Sequence, residues 1–317
     1  MPNRGINGTP PRDSIRMIVI LNAGAGSSAG DAEAIREKIS EAFASAGAEA
    51  EIVSPDQSAD LAALAKRYAR SEHQLIVAAG GDGTISAVAA ELIGSEKTLG
   101  VLPVGTLNHF AKDLKIPIND LPAAARTIAD GNEAIIDTAE VNGRSFINNS
   151  SLGIYPRIVA KREAQQERLS RGKWPAAVWA TVHAFHRFPF MDLRVTLDEK
   201  QLARRTAFLF IGNNEYEIAG FKLGGRTRLD RGRLGLYLTH RTGRIGLFRL
   251  ALHALFGRVD QAGDFDAFAV EEAIIETRRA RVLVATDGEV NWMESPLHYR
   301  IHPRSLRVMV PGETAAS

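Results

Sequence analysis

The 317-residue sequence contains no cysteine, which excludes disulfide bonds, thiol nucleophiles and cysteine-ligated metals and fits a reducing compartment. It also lacks any uncharged apolar run of roughly eighteen residues, so we expect no transmembrane helix. The first thirteen residues, MPNRGINGTPPRD, have no apolar centre such as a signal peptide needs. We therefore expect residues 1–13 to be disordered and the protein to be cytoplasmic.

An excess of charge of either sign is absent too, because 39 Lys and Arg oppose 37 Asp and Glu. Nothing in this balance favours nucleic acid as a partner. The composition, 45% hydrophobic and 24% charged, is that of a globular protein, and the length is comfortable for two domains.

The first part of the chain alternates predicted strands and helices up to about residue 137. The strands are RMIVIL (16–21), EAEIV (49–53), HQLIVAAG (73–80) and TLGVLP (98–103), and helical spacing follows each of the first three. This alternation predicts an open, mostly parallel α/β domain over residues 14–137, and AAARTIADG predicts a helix that stops at Gly131.

After residue 137 the sequence changes to short strands with tight turns. IIDTAEVNG and RSFINNSSLG are predicted to be two strands joined by a turn at Asn142-Gly143. Further strands are predicted in MDLRVTLDEKQ, RTAFLFIGNN, GRLGLYLTH, AIIETRRARVLVATDGE and SLRVMVP. The pattern predicts an antiparallel β-sandwich over residues 138–300, whose exposed edges permit a homodimer.

Three strand ends of the first domain carry residues suited to a nucleotide. Asn22 opens a Gly/Ser-rich turn that extends to Gly30, and this turn fits an anion, a dinucleotide or no ligand at all. Ser54 follows the second strand, where a dinucleotide site would need an acidic residue. Since carboxyl ends of strands are where open α/β sheets bind ligands, the coincidence of three such ends predicts a binding site.

The second of these three sites follows the third strand and is Gly80-Gly81-Asp82-Gly83-Thr84. Its glycines let backbone amides approach a phosphate, Asp82 can act through Mg²⁺ or accept a proton, and Thr84 can bind phosphate or cap the helix. The third is Pro103-Val-Gly105-Thr106-Leu-Asn108, where Gly105 and Thr106 suit a phosphate or ribose and Asn108 is equally suited to an N-cap. No GxxxxGK(S/T) motif is present, so this is not a P-loop protein.

These loops, with Asp287-Gly288-Glu289 and the run PLHYRIHPRSLRVMVP, resemble the diacylglycerol kinase catalytic family, which includes sphingosine and ceramide kinases. The resemblance covers about residues 14–312. GGDGT alone also occurs in NAD kinases and phosphofructokinases, but GGDGT with P-x-GT-x-N and a late DGE is more specific. The resemblance implies an NAD-kinase-like nucleotide domain, a β-sandwich, and a final segment (301–312) that returns to the first domain.

The resemblance also implies a lipid kinase that moves the γ-phosphoryl group of ATP, with Mg²⁺, to the hydroxyl of a membrane lipid such as diacylglycerol. Glu289 is then the base that takes the hydroxyl proton, and Asp287 lies beside it near the metal. Without the other motifs, DGE would be a polar hairpin turn. The implied nucleotide contacts are Asn22, Ser54, Gly81, Asp82, Gly83, Thr84 and Thr106.

Two residues depart from the family pattern. His109 stands where many members have an Asp after P-x-GT-x-N, and Arg231 stands where some bacterial members have an Asp that binds a structural metal. Asp230 is one residue away and would point to the opposite face of a strand. We therefore expect no structural metal here, with Arg231 as a fixed cation in its place.

Two basic segments, 157–188 and 241–258, combine arginines and lysines with aromatic and leucine side chains. They suit helices that lie on an anionic membrane surface, and they equally suit helices that cover the sandwich. His183 and His186 are three residues apart, a helical spacing that could bind a metal, but packing is the favoured interpretation. The sequence also leaves open an NAD-kinase-like phosphotransferase and a catalytically inert, nucleotide-binding regulatory protein.

Overall fold

The computed structural model describes residues 17–23, 29–55, 61–153, 190–198, 200–219, 222–223, 225–239 and 265–312. Two compact units divide the chain. Among the described residues, the first unit takes those up to Thr106, Ile116–Ala134 and those from Arg307 onward. The second unit takes Leu107–Lys115 and Ile135–Leu306.

A parallel sheet forms the centre of the first unit. Its strands are β1 (Met17–Leu21), β2 (Glu51–Val53), β3 (Leu75–Gly80) and β4 (Thr98–Pro103). The order is β2-β1-β3-β4 with every neighbouring pair parallel. Beyond β4, Arg307 and Val308 pair in parallel with Thr98 and Leu99. The unbroken apolar runs of β1 and β3 are buried along their whole length, as a sheet covered on both faces requires, and the predicted α/β class is confirmed.

Helices flank this sheet in two pairs. They are α1 (Ala29–Ser45), α2 (Leu61–Ala69), α3 (Asp82–Leu92) and α5 (Leu121–Asp130). α1 lies beside α5, and α2 lies beside α3. α5 begins where the Asp120 side chain accepts a hydrogen bond from the Ala123 amide at 2.9 Å. It ends at Gly131 as predicted, where a Cβ would lie only 2.1 Å from the Thr127 carbonyl oxygen. None of the helices in the described ranges is long and apolar enough to cross a membrane.

The second unit contains two main sheets. One holds most of β5 (Asn132–Val141), with β6 (Arg144–Phe146), β8 (Met191–Leu197), β9 (Lys200–Thr206), β15 (Glu272–Thr277) and the first part of β18 (Leu297–Val310). The other has the order β14-β13-β10-β7-β16-β17 and is antiparallel throughout. Its strands are β7 (Asn149–Gly153), β10 (Phe208–Asn213), β13 (Leu234–Thr239), β14 (Phe265–Val270), β16 (Arg281–Thr286) and β17 (Glu289–Glu294).

Two short elements are also described in this unit: the hairpin β11 (Ile218–Ala219) and β12 (Lys222–Leu223), and the helix α4 (His109–Asp113). The core lies between the main sheets, where alternate side chains of both meet in one buried apolar cluster. Its members include Leu209, Ile211 and Leu236 from one sheet and Val195 and Ile275 from the other. The predicted antiparallel sandwich is thereby confirmed.

The prediction of one strand over RSFINNSSLG is wrong in its middle. The turn at Asn142-Gly143 forms as expected, with φ of 47° and 79°. However, β6 ends at Phe146 and β7 begins at Asn149 in the other sheet. Side chains satisfy the amides of Ile147 and Asn148 and the carbonyl oxygen of Ile147. The carbonyl oxygen of Asn148 accepts instead from the backbone amide of Asn213, at the end of β10, at 2.9 Å.

Arg226 is the most extensively bonded of the buried side chains that hold this break. It is 4% exposed. Its Nη1 donates to the carbonyl oxygens of Ile147 (2.7 Å) and Asn213 (2.8 Å), and its Nη2 donates to Asn148 Oδ1 (2.9 Å). Its Nε and Nη2 lie 2.8 and 2.7 Å from Asp113 Oδ2. These contacts give every guanidinium N–H a partner, so the burial of this charge is compensated.

Replacing Asp113 with Ala should destabilise the protein strongly, because Arg226 would remain as a buried charge without its carboxylate. We expect the free energy of unfolding, measured by urea titration, to fall by about 3–5 kcal/mol. The control is Asp230→Ala, which removes an exposed partner of Arg228 at 2.8 Å and should cost less than about 1 kcal/mol. Equal losses in the two variants would contradict this assignment.

Candidate functional site

Asn22 and Thr84, predicted from separate motifs, are in direct contact in the first unit. Asn22 follows β1, and its backbone amide donates to the Ala79 carbonyl oxygen at 2.9 Å. Its side-chain Nδ2 donates to Thr84 Oγ1 at 3.1 Å. This leaves the hydroxyl hydrogen of Thr84 for another acceptor. The rest of the Gly/Ser turn, residues 24–28, lies outside the described residues.

The segment from Gly80 to Thr84 turns β3 directly into α3. Gly81 is the N-cap, so the helix presents its first amides at the carboxyl end of the strand. A Cβ on Gly80 would lie 2.5 Å from both Cβ and Oγ1 of Thr84, so only glycine fits there. A Cβ on Gly83 would meet nothing within 4 Å. Packing against Thr84 therefore requires glycine at position 80. Packing does not require glycine at position 83, where the space beside the helix start is open.

The loop after β4 lies next to this helix start. A Cβ on Gly81 would be 3.7 Å from the Cα of Gly105, which places the two backbones side by side. Thr106 is exposed beyond Gly105. Asn22, Gly81, Thr84 and Gly105 thus come together at the carboxyl ends of β1, β3 and β4, where an open α/β sheet binds its ligand.

Ser54 has a partner that sequence reasoning missed. Arg36, on α1, donates from Nη2 to Ser54 Oγ at 3.0 Å and from Nη1 to the Ile52 carbonyl oxygen at 2.7 Å. No motif signals this pairing, because the residues are separated by a loop and belong to different elements. Arg36 brings a cation to the end of β2.

Asn108 opens α4 in the left-handed conformation, with φ of 51°. Its side chain is buried, and it makes no capping hydrogen bond, so the side-chain N-cap interpretation is not what places it here. His109 is exposed as the first residue of α4. Asparagine tolerates this backbone conformation better than most residues, which explains the residue type locally.

Asp287 and Gly288 form the hairpin turn between β16 and β17, with φ of 48° and 90°. The Asp287 carboxylate accepts backbone hydrogen bonds at 2.8 Å from Ile147, 2.9 Å from Asn148 and 3.0 Å from Asn149. Its own amide donates to the Asn149 carbonyl oxygen at 2.8 Å. The turn is therefore fixed to the break between β6 and β7. The Asp287 carboxylate is occupied mainly by backbone amides.

Glu289 follows that turn as the first residue of β17, and 58% of its side chain is exposed. Its Oε2 forms an ion pair with Nη2 of Arg144. The Nε of Arg144 donates to Thr286 Oγ1 at 3.0 Å. Sequence reasoning named Glu289 but missed Arg144, which lies 145 positions away and belongs to no motif.

Tyr216 contacts the break between β6 and β7, and sequence reasoning missed it too. Its hydroxyl donates to the Asn148 carbonyl oxygen at 3.2 Å, and the guanidinium carbon of Arg226 lies 5.3 Å from its ring centre. Burial raises the pKa of Tyr216, against the opposing effect of the Arg226 charge. The hydroxyl therefore stays protonated and keeps its role as a donor.

Arg231, expected as a fixed cation, lies on the surface and pairs with Glu215. Its side chain is 53% exposed and lies 3.5 Å from Glu215. Asp230 pairs instead with Arg228, which lowers the pKa of Asp230. Within the described ranges, no group of three or more His, Asp or Glu side chains is arranged to hold a metal. The basic segments 157–188 and 241–258, with His183 and His186, lie outside the described residues.

Comparison with known families assigns both parts of the chain. Residues 16–141 match the diacylglycerol kinase catalytic domain, and residues 155–310 match the YegS C-terminal NAD kinase beta sandwich-like domain. The chain is 44% identical over 108 residues to a diacylglycerol kinase of Bacillus subtilis (strain 168), covering 33% of this chain and 36% of that one. It is 30% identical over 203 residues to one of Staphylococcus epidermidis, covering 62% of each.

The matched segments thus span less than two thirds of these two relatives. Among solved structures, the fold is similar to that of a diacylglycerol kinase from Bacillus anthracis str. Sterne, with a TM-score of 0.68, 21% identity, and 93% and 96% of the two chains covered. A second structure from that strain gives 0.72 and 23%, covering 93% and 97%. With its two consecutive matching domains, the chain belongs to the diacylglycerol kinase catalytic-domain family.

Proposed function

We propose that this protein is a lipid kinase that transfers the γ-phosphoryl group of ATP to the hydroxyl of a membrane lipid such as diacylglycerol. The observation that carries the proposal is the turn at Asp287-Gly288, which three backbone hydrogen bonds hold in place ahead of Glu289. In a chain with a diacylglycerol kinase catalytic domain, a fixed turn followed by an accessible carboxylate suits a base acting on an alcohol.

The nucleotide phosphates belong at the strand ends of the first unit. Gly81, Gly83 and Gly105 permit close backbone approach, and the start of α3 favours negative charge. Thr84 accepts a hydrogen bond from Asn22, and we assign its hydroxyl hydrogen to a phosphate oxygen. We assign the remaining nucleotide contacts to Ser54, Gly80, Asp82, Thr106 and Asn108.

Glu289 is the general base of the proposed reaction. A lipid alcohol is a poor nucleophile, and a carboxylate that removes its proton typically accelerates such a step by about 10²–10⁴-fold. Asp287 does not need to share that role, because its carboxylate accepts three amides and fixes the position of the turn. We therefore assign positioning to Asp287 and proton transfer to Glu289.

Mg²⁺ is the metal that the family implies, and Asp82 is the carboxylate best suited to it. In nucleotide kinases Mg²⁺ is held by one or two carboxylates together with substrate phosphates, so a cage of protein ligands is not required. Asp82 stands at the start of α3, among the proposed phosphate contacts. Asp287 has less capacity left for a metal. Bound Mg²⁺ would neutralise charge on the transferring phosphoryl group.

A substrate in a bilayer requires the enzyme to reach the membrane surface. The segments 157–188 and 241–258 are the best candidates in the sequence, since both are basic and rich in apolar side chains. We propose that they bind the anionic inner face of the membrane.

Replacing Glu289 with Gln should lower the rate at which γ-labelled ATP labels lipid by about 10²–10⁴-fold, and Asp82→Asn should also lower it strongly. The assay uses Mg²⁺ with mixed-lipid vesicles or, in a parallel reaction, with NAD, and the products are separated by thin-layer chromatography. Glu294→Gln is the control, because Glu294 is exposed at the other end of β17. Label in NAD rather than lipid would replace this proposal with an NAD kinase. Nucleotide binding without any labelled product would indicate a regulatory protein.

Gly83→Ala should separate stability from binding. Because Gly83 is helical and has open space beside it, alanine should leave the free energy of unfolding equal or raise it by up to about 1 kcal/mol. ATP affinity, measured by calorimetry, should nevertheless fall about tenfold, or by about 1.4 kcal/mol, if phosphate occupies that space. Ala90→Ser, exposed near the end of α3, should change neither affinity nor fold. Unchanged ATP affinity in Gly83→Ala would argue against the phosphate site.

Neutralising arginines in the second basic segment should weaken membrane binding. Each cation near an anionic bilayer contributes about 1 kcal/mol, so Arg244→Gln with Arg249→Gln should lower partitioning onto phosphatidylserine vesicles by about tenfold or more. Arg194→Gln with Arg278→Gln removes the same charge from exposed sandwich positions and is the control. Equal partitioning of both double variants at low salt would contradict this role.

A further inference from the structure

The turn that precedes Arg144 is held by β17, the strand that carries Glu289. It follows the Asn142-Gly143 turn, and the side chain of Asn142 donates to the carbonyl oxygens of Glu294 (3.0 Å) and Pro296 (3.3 Å). The Asn142 Oδ1 accepts from the His298 amide at 2.8 Å. The backbone that presents Arg144 is thus fixed to the far end of β17 and the strand after it.

The guanidinium of Arg144 makes two different contacts around the DGE turn. Its Nε donates to Thr286 Oγ1 at 3.0 Å, and its Nη2 pairs with Glu289 Oε2. Thr286 is 2% exposed and is the cross-strand partner of Glu289. A rigid planar fork held at one nitrogen by a buried hydroxyl offers its other nitrogen in a defined direction.

Glu289 needs such a partner because its surroundings do little to restrict it. More than half of the side chain is exposed, and a glutamate has three rotatable bonds that solvent leaves nearly free. Asp287 fixes the backbone of the turn, because its carboxylate accepts the amides of the segment between β6 and β7. Arg144 therefore supplies the orientation that the backbone anchor cannot.

Exposed ion pairs contribute little to stability, and several occur on this sandwich. Arg300 and Glu272, for example, join Nε to Oε1 at 2.6 Å with 58% and 55% of their side chains exposed. Arg144 and Glu289 differ because the arginine is also anchored on the hydroxyl of the residue that faces Glu289 across the hairpin. That second contact favours a role in geometry over a role in folding.

We propose that Arg144 is a positioning residue, which holds the Glu289 carboxylate in the orientation from which it accepts the proton of the lipid hydroxyl. The inference rests on the proposed function. With Oε2 on Arg144, Oε1 takes the proton. The hydroxyl oxygen then bonds to the γ-phosphorus, the bond from that phosphorus to the β-phosphate oxygen breaks, and its electron pair leaves with ADP.

The experiment compares lipid phosphorylation by the full-length wild type, Arg144→Gln, Arg144→Lys and Arg300→Gln, with γ-labelled ATP, Mg²⁺ and vesicles containing diacylglycerol. Misplacing a catalytic group by about 1 Å can cost about 10²-fold, so Arg144→Gln should lower kcat by about 10- to 100-fold. KM for ATP should stay within about twofold, since Arg144 is not assigned to the nucleotide. Arg144→Lys should recover part of the loss, and Arg300→Gln should match the wild type.

A second comparison tests whether the effect passes through Glu289. Adding Arg144→Gln to Glu289→Gln should cause no further loss of the residual rate, because the group that Arg144 orients is already inactive. Full activity in Arg144→Gln, or an equal loss in both backgrounds, would overturn the inference while leaving the lipid kinase intact. A wild type that labels no lipid would overturn the proposed function and this inference with it.

Discussion

The backbone from Ile147 to Asn149 is the point on which the second unit depends, because two charged side chains hold it from different sides. Asp287 accepts its three amides, and Arg226 binds the Ile147 carbonyl oxygen and the Asn148 side chain. This segment links the two sheets of the sandwich, since β6 precedes it in one and β7 follows it in the other. A polar segment can make that crossing only when its backbone groups are satisfied, and the two opposite charges accomplish this.

The same arrangement explains why two neighbouring carboxylates, Asp287 and Glu289, have such different surroundings. Asp287 is short, half-buried and turned toward amides, so its charge stabilises a particular backbone path. Glu289 is longer and begins a strand, and more than half of its side chain is exposed to solvent. The polar hairpin turn, which was the alternative interpretation of DGE, is present. This hairpin is what separates the anchoring carboxylate of Asp287 from the accessible carboxylate of Glu289.

Local signals in the sequence predicted the elements well, whereas long-range polar pairs could not be predicted. Strands that alternate with helices predicted the parallel sheet, and Asn142-Gly143 predicted the turn between β5 and β6, because each signal depends on neighbouring residues. The break at Ile147 depends on Asp287, Asn213 and Arg226, which are far away in the chain. Arg144 and Arg36 were missed for the same reason, since an arginine on a short strand or a helix looks like an ordinary surface residue.

The glycines of GGDGT show that a motif can combine demands of folding with demands of binding. Gly80 is required by Thr84, whose side chain fills the space where a Cβ would stand. Thr84 in turn is held by Asn22, so the first strand helps to define the shape of the second loop. Gly83 meets no such neighbour, and a helical position would ordinarily favour alanine there. Because folding does not require glycine at this position near the start of α3, it is consistent with the proposed phosphate site, where a ligand would approach the backbone.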